Sequence, residues 1–263
     1  MGALQRDGVR LGYEAHGSGE PTLVFVHGWC CDRSHFAPQM ERFAAEHRVV
    51  ALDQRGFGES DRPEQAYTIE GFADDIAFLC TSLGLEKPVV IGHSLGGAVA
   101  LAVAARHPEL PSGLVLCDPA AFWPEPLLPG MAELAEAFAT PQYKEHARDF
   151  VRRALFIDGD DPALRERIVT QMSETPQHVM HSSFANLHAF DEAEAARACR
   201  VPVLSIDAAT PIVDRDRFRA ACPHVTFDAT PGAGHFHQLL VPDEINAKIE
   251  RFVAGLAGPG SRL

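Results

Sequence analysis

Short apolar runs alternate with longer amphipathic segments along most of the chain. Val49–Leu52 and Gly113–Cys117 are continuous apolar runs of strand length, whereas Ile69–Leu83 carries its apolar residues at helical spacing. Continuous apolar strands between helices are typical of a parallel sheet that helices cover on both faces. The pattern therefore predicts an α/β fold, with a mostly parallel, doubly wound sheet of about eight strands.

The same alternation predicts the other elements of the core. Strands are expected over residues 9–13, 22–26, 89–91, 201–206 and 225–227, and helices over 36–45, 98–106, 215–221 and 243–253. From Pro119 to about Arg200 no strand is predicted, only helical stretches interrupted by prolines. We therefore expect a core formed by residues 1–118 and 201–263, and a helical cap formed by residues 119–200 that is inserted after the sixth strand. Helices are predicted in this cap over residues 131–139, 143–156, 162–172 and 177–190.

Composition and charge narrow the range of partners. With 46% hydrophobic residues and a formal net charge of −13, the chain of 263 residues has no basic run that would suit nucleic acid or an anionic membrane. No apolar stretch approaches the length of a membrane span, and the first residues lack a signal-like apolar segment. We expect a cytoplasmic protein, a monomer or homodimer, whose partner is a small-molecule substrate. Its six cysteines form no CxxC pair, which favours reduced thiols.

Ser94 lies between a β-branched run and a helix-forming segment. Val89–Ile91 precedes it, and Gly92, Gly96 and Gly97 surround it. A G-x-S-x-G pattern between a strand and a helix is typical of a nucleophile elbow, in which glycines let neighbouring backbone pass closely. The N-terminus of the following helix also favours negative charge at this point. The pattern predicts that Ser94 attacks a carbonyl carbon.

Thirteen histidines could supply a base for Ser94. His235 follows a predicted strand within a glycine-rich loop, so it is expected at the same sheet edge as Ser94, where the carboxyl ends of parallel strands meet. His27 and His93 each adjoin a glycine turn that would aim the ring into packing. We therefore predict that His235 is the base.

Three further histidines, His178, His181 and His188, are spaced along a predicted cap helix. We interpret them as a solvated or substrate-facing stripe. No carboxylate or cysteine completes a ligand set with them, so no metal site is predicted.

Four motifs together resemble the α/β-hydrolase family, in its serine-nucleophile esterase and lactonase branch, and the resemblance covers nearly the whole chain outside the predicted cap. The motifs are His27–Trp29, Asp53–Ser60, Gly92–Gly97 and Gly234–Phe236. The resemblance implies that the backbone N–H groups of Trp29 and Leu95 form an oxyanion hole. It also implies a reaction that needs no cofactor.

The third member of the triad departs from the family's usual pattern. Relatives usually carry an aspartate in the loop after the strand at residues 203–206, where this chain has Thr210. Some relatives place the acid after the strand that ends at Cys117, and here Asp118 occupies that position. We favour Asp118 over Asp214, with Asp207 third, as the partner that fixes the tautomer of the base.

The triad predicts a cofactor-independent serine hydrolase that cleaves a carboxylic ester or lactone through an acyl-enzyme. Aromatic residues of the cap suggest an apolar pocket for a small substrate. The candidate pocket residues are Phe122, Trp123, Phe184, His181 and Phe236.

Three alternatives share the same residues. A carbon–carbon bond hydrolase of a ring-cleavage product would need basic side chains in the pocket, for which Arg152, Arg153 or Arg165 are available. A cofactor-free dioxygenase would need only the histidine and the aspartate. A ligand receptor on this fold would bind its ligand and show residual hydrolase activity.

Overall fold

The computed structural model describes residues 1–256, in which eight strands form one sheet of order β1-β2-β4-β3-β5-β6-β7-β8. Strand β2 pairs antiparallel with β1 and β4, and the remaining neighbours pair parallel. The predicted mostly parallel sheet is confirmed. The strands are β1 (Gly2–Arg6), β2 (Val9–His16), β3 (Leu23–Val26), β4 (Val49–Leu52), β5 (Val89–His93), β6 (Gly113–Cys117), β7 (Val203–Asp207) and β8 (Val225–Ala229).

Helices cover both faces of the sheet. Helices α2 and α3 bury their apolar sides in one cluster with one face of the sheet, and α1 and α11 pack against the other face. The helices outside the insertion are α1 (Ala37–Phe43), α2 (Ile69–Leu83), α3 (Leu95–Arg106), α9 (Arg215–Ala221), α10 (His237–Leu240) and α11 (Pro242–Leu256). The predicted core extends to residue 263, and its residues 257–263 lie outside the described part of the chain.

Capping residues determine where α2 begins and ends. The Thr68 side chain accepts a hydrogen bond from the Gly71 N–H at its N-terminus. Gly84 ends it with φ of 61°, a left-handed conformation that suits glycine. The bounds of α2 are therefore those predicted.

Residues 119–200, the inserted segment, connect β6 to β7 and contain no strand. The segment contains α4 (Leu128–Phe138), α5 (Tyr143–Ala154), α6 (Pro162–Ser173), α7 (Gln177–Ala189) and α8 (Glu192–Ala198). Helices α4 to α7 are predicted to within a few residues. Helix α8 is missed because its apolar positions are alanines, which give a weak pattern, although Asp191 caps its start.

Strand β1 and helix α10 are also missed. The apolar side chains of β1, Ala3 and Leu4, are adjacent and give no alternating pattern, and α10 spans only four residues. Within residues 1–256, no helix combines the length and the apolar character needed to cross a bilayer.

Candidate active site

Ser94 occupies the sharp turn between β5 and α3. Its backbone angles are φ 54° and ψ −120°, a conformation that residues other than glycine rarely adopt. The turn needs glycines because neighbouring backbone passes very close to it. A Cβ on Gly92 would lie 2.1 Å from the Gly96 oxygen, and a Cβ on Gly96 would lie 2.1 Å from the Val26 oxygen. The turn therefore presents a partly exposed hydroxyl above otherwise buried residues.

His235 lies in the loop between β8 and α10, and its ring meets Asp118. The Nδ1 atom of His235 donates to Asp118 Oδ2 across 2.6 Å, and the two residues are 7% and 1% exposed. A buried carboxylate in this position fixes the tautomer, so that Nε2 is the nitrogen left free to accept a proton.

Asp118 is itself held by the neighbouring strand. It follows β6 directly with φ of 43°, and its N–H donates to the Ile206 oxygen across 2.8 Å. Its Oδ1 accepts from the Ala208 N–H at 3.2 Å. The end of β7 thus holds Asp118 through one backbone acceptor, the Ile206 oxygen, and one backbone donor, the Ala208 N–H.

The other candidate acids are engaged elsewhere. Asp214 caps α9 by accepting from the N–H groups of Asp216 and Arg217. Asp207 pairs with Arg215 at 2.7 Å, and burial raises the pKa of its carboxyl, partly offset by Arg215. Thr210, at the usual position of the family's acid, is exposed. Of these acids, the structure brings only Asp118 to His235.

The backbone amides of Leu95 and Trp29 are the candidate oxyanion donors, one at the start of α3 and the other in the loop after β3. Leu95 is the first residue of α3, so its N–H has no acceptor within the helix. Trp29 follows β3 with its indole buried, and Nε1 donates to the Met180 oxygen at 3.0 Å. The side chain of Trp29 therefore joins the sheet edge to α7, while its amide stays at the turn.

Two buried histidines support the His235 loop. His93 Nε2 donates to the His235 carbonyl oxygen at 2.9 Å, and burial lowers the pKa of His93 well below its usual value. His237 contacts the Thr230 hydroxyl at 2.7 Å, and burial lowers its pKa to about 4. Both rings therefore stay neutral at pH 7 and add no charge beside His235.

The inserted segment also anchors this loop, through contacts that the sequence analysis did not identify. The His235 N–H donates to the Leu155 oxygen at 3.0 Å, and the Gly234 N–H donates to Asp160 Oδ1 at 3.1 Å. Asp160 is 7% exposed. No sequence signal marks it, because its partner lies 74 positions away and the segment around it has the composition of an ordinary loop.

Ser94 and His235 open into one mainly apolar cavity of about 100 Å³. The cavity floor comes from the sheet edge and the loops beside it, and comprises Gly28, Trp29, Cys31, His93, Ser94, Ala120, His235 and Phe236. The cavity roof comes from the inserted segment, and comprises Trp123, Met131, Phe150, Ala154, Leu155, Met172, Phe184 and Leu187. Ile212 completes the lining.

Three of the five candidate pocket residues, Trp123, Phe184 and Phe236, line this cavity. The other two do not. Phe122 has a positive φ of 56°, and its ring stacks on Phe218 with ring centroids 4.4 Å apart. His181 is partly buried on α7, outside the lining.

The histidine stripe on α7 is dispersed. His178 lies 3.6 Å from Glu64, and His188 stacks beside Trp123. In the described ranges, no group of three or more His, Cys, Asp or Glu side chains is arranged to hold a metal ion.

Comparisons with known proteins find similarity over most of the chain. A family model described as alpha/beta hydrolase fold matches residues 21–242. A protein of Caulobacter sp. (strain K31), provisionally named carbamate hydrolase RutD, is 29% identical over 262 residues, which cover 94% of this chain and 97% of that protein.

Two solved structures are similar over nearly their whole length. An esterase from Thermogutta terrifontis has a TM-score of 0.84 at 26% identity, with 97% of both chains covered. The enol-lactonase from Burkholderia xenovorans LB400 has a TM-score of 0.85 at 25% identity, with 96% of this chain and 100% of that chain covered.

Proposed function

Because the chain belongs to the alpha/beta hydrolase family, we propose that it hydrolyses a carboxylic ester or lactone through an acyl-enzyme on Ser94. The observation that carries the proposal is the 2.6 Å contact of His235 with Asp118 beside the cavity that Ser94 also lines. A nucleophile, a base and an oriented carboxylate at one cavity are the parts that acyl transfer requires.

Acylation would begin with the transfer of the Ser94 hydroxyl proton to His235 Nε2. The Ser94 oxygen attacks the carbonyl carbon, and the carbonyl oxygen becomes an oxyanion that accepts from the amides of Leu95 and Trp29. Each such donor typically lowers the barrier by about 3 kcal/mol. His235 then protonates the leaving alcohol, or the ring oxygen of a lactone, as the tetrahedral intermediate collapses.

Deacylation reverses these roles. His235 takes a proton from water, the hydroxide attacks the acyl carbon, and Ser94 leaves with that proton restored to its oxygen. Asp118 accepts from Nδ1 of His235 and stabilises the imidazolium in both halves of the reaction. Each step uses only groups of this chain and water.

The cavity lining supports a small, uncharged acyl group. Apolar and aromatic side chains predominate, and the polar atoms that face the cavity come mainly from the floor beside Ser94. Such a lining binds hydrocarbon well and leaves a charged substituent without partners. The similarity to an esterase and to an enol-lactonase supports the same class of substrate.

The carbon–carbon hydrolase alternative receives less support. Arg152 pairs with Glu166 at 2.9 Å, and Arg165 donates to the Ile157 oxygen. The side chain of Arg153 is 79% exposed. None of the three lines the cavity, so a substrate carboxylate would have no cationic partner there.

The test is release of p-nitrophenol from p-nitrophenyl butyrate at neutral pH by the wild type and Ser94→Ala. We expect the variant to lose about 10⁴-fold or more in kcat, as removal of a serine nucleophile does in other hydrolases. Ser34→Ala, an exposed serine outside the cavity, is the matched control and should keep the wild-type rate.

Other outcomes would redirect the assignment. Activity that persists in Ser94→Ala would contradict the acyl-enzyme and favour chemistry by the His235–Asp118 pair alone, as in the dioxygenase alternative. A folded wild-type protein that binds esters, measured as a rise in Tm, but does not turn them over would favour the receptor alternative.

A further inference from the structure

Two cysteines lie together at the edge of the sheet opposite Ser94. Cys199 follows α8, the last helix of the inserted segment, and Cys222 follows α9. Both lie a few residues before β7 and β8, which pair parallel, so the two cysteines stand at the amino ends of these strands. Ser94 follows the carboxyl end of β5, which runs parallel to both. The cysteine pair is therefore separated from the candidate active site by the length of the strands.

One imidazole and one carbonyl oxygen lie between the two thiols. The Cys199 thiol donates to the Val201 oxygen at 3.6 Å, and His224 Nε2 donates to the same oxygen at 2.9 Å. Cys222 Sγ lies 3.4 Å from His224 Nε2. The thiols of Cys199 and Cys222 also hydrogen-bond each other. The four groups thus form one cluster, in which both sulfurs lie beside the same ring nitrogen.

The cluster lies just below the protein surface. Both cysteines are 0% exposed, whereas Arg200 and Pro223, the residues that follow them, are exposed. Neither thiol lines the cavity that contains Ser94. A molecule as small as hydrogen peroxide therefore reaches the sulfurs from the surface through local opening of this segment, and not through the active site.

The surroundings favour the thiolate form at one of the two sulfurs. The hydrogen bond from Cys222 lowers the pKa of the Cys199 thiol, burial opposes this effect, and His224 adds to it. The same thiol–thiol contact, together with burial, raises the pKa of Cys222. A thiol of lowered pKa beside a second, resolving thiol is the arrangement of redox-sensitive cysteines. Cys199 is therefore the sulfur expected to react first.

We propose that Cys199 and Cys222 form a redox modification site, at which hydrogen peroxide closes a reversible disulfide that ties the end of the inserted segment to the turn between α9 and β8. The Cys199 sulfur attacks one peroxide oxygen, the O–O bond breaks, and the other oxygen leaves as water. The Cys222 sulfur then displaces the hydroxyl group of the sulfenic acid on Cys199, and a second water leaves. Each water carries away one thiol proton, so two thiols and one peroxide give one disulfide and two waters.

The other four cysteines are arranged differently. Burial raises the pKa of Cys80 and of Cys117 to about 12, and it raises the pKa of Cys30 as well. The Cys31 thiol donates to the Trp29 oxygen at 3.3 Å. Within residues 1–256, no hydrogen bond joins two thiols among these four. We therefore expect disulfide formation to be confined to the pair at the end of the inserted segment.

Hydrogen peroxide is the probe, applied to the full chain and followed by peptide mass spectrometry without reduction. We expect one linked pair of peptides, which joins Cys199 to Cys222 and has lost two hydrogen atoms. The Tm should rise by at least about 5 °C, because a bond across residues 199–222 restricts the unfolded chain. Dithiothreitol should reverse both changes. Absence of the linked peptides, or their formation without a rise in Tm, would overturn the proposal.

Variants assign the roles of the two sulfurs. Cys222→Ala should stop at a sulfenic acid on Cys199, which dimedone traps, and its Tm should not rise on oxidation. Cys199→Ala should give neither the trapped adduct nor the rise. Cys80→Ala removes a buried thiol outside the pair, and this matched control should keep the full rise. Each variant is compared with its own reduced form, and a rise in Tm that persists in Cys222→Ala would contradict the disulfide.

The imidazole is tested by the rate of disulfide formation. His224→Leu removes the ring nitrogen that lies beside both sulfurs and should slow the reaction about tenfold. His224→Gln keeps an N–H donor and should recover part of that rate. An unchanged rate in His224→Leu would remove His224 from the proposal.

The esterase rate tests the separation of this site from Ser94. Oxidation of the wild type should leave kcat for p-nitrophenyl butyrate within about twofold, because distant sites act independently. A larger loss that Cys222→Ala escapes and dithiothreitol reverses would contradict that separation. The linked peptides and the Tm are measured without substrate, so failure of the serine mechanism would leave this test unaffected.

Discussion

The floor and the roof of the cavity are built in different ways. Backbone contacts between strand ends hold the floor, as where Gly96 approaches Val26 and where the Asp118 N–H reaches Ile206. Side-chain packing holds the roof, where Phe184 meets the Trp29 ring at 5.2 Å. A backbone framework tolerates little displacement, whereas packed side chains can be exchanged at moderate cost. The floor is therefore suited to positioning reacting atoms, and the roof to selecting what reaches them.

The largest expected effect comes from the floor. Asp118→Asn should lower kcat for p-nitrophenyl butyrate about 10⁴-fold, because the amide disturbs the tautomer of His235. Asp214→Asn, at the helix cap, should stay within about threefold of the wild type. If Asp214→Asn lost its activity and Asp118→Asn kept it, the floor would not be assembled around Asp118.

Acid should destabilise the fold through His237, which supports the His235 loop beside the floor. Its folded pKa of about 4 lies below the ordinary 6.5, so the unfolded chain binds more protons between these values. The stability that His237 contributes is complete above pH 6.5 and lost as the pH falls to 4, by about 3 kcal/mol.

Urea unfolding at pH 7 and pH 5 measures this effect. His237→Gln should lose less stability than the wild type between the two pH values. His188→Gln, on the exposed side of α7, is the matched control and should follow the wild type. An equal loss in His237→Gln and the wild type would contradict the assignment.

A smaller effect is expected where the inserted segment anchors the floor. Asp160→Ala should lower kcat about tenfold with little change in KM, because Gly234 loses its acceptor and the His235 loop loosens. Asp160→Asn keeps an acceptor oxygen and should recover part of the rate. Asp158→Ala, in the exposed part of the same turn, should behave as the wild type. A rise in KM alone would assign Asp160 to the roof instead.

The smallest effect should come from the roof. Phe184→Leu removes part of the wall and should shift the ratio of kcat/KM for longer over shorter acyl esters by up to about tenfold. Phe122→Leu makes the same change outside the cavity and should leave the ratio unchanged. A shift in Phe122→Leu of the same size would mean that both variants act through general loosening.

Local sequence signals mark more of the floor than of the roof. Ser94 and His235 sit in glycine-rich turns at strand ends, and such turns are local signals. Asp118 could be ranked but not assigned, because its contact with His235 depends on the order β6-β7-β8 in the sheet. The roof depends on which face each helix presents to Ser94, so the sequence predicts Phe122 in the lining and does not mark Met131.

The hydrogen bond from the His235 N–H to the Leu155 oxygen limits how the inserted segment can be exchanged between related proteins. A roof transplanted from a relative would have to bring a carbonyl to the position of Leu155 and a carboxylate to that of Asp160, or leave the histidine loop without two of its anchors. The inserted segment is thus no interchangeable module. Exchange of substrate preference by grafting should succeed only when residues 155–160 stay with the host.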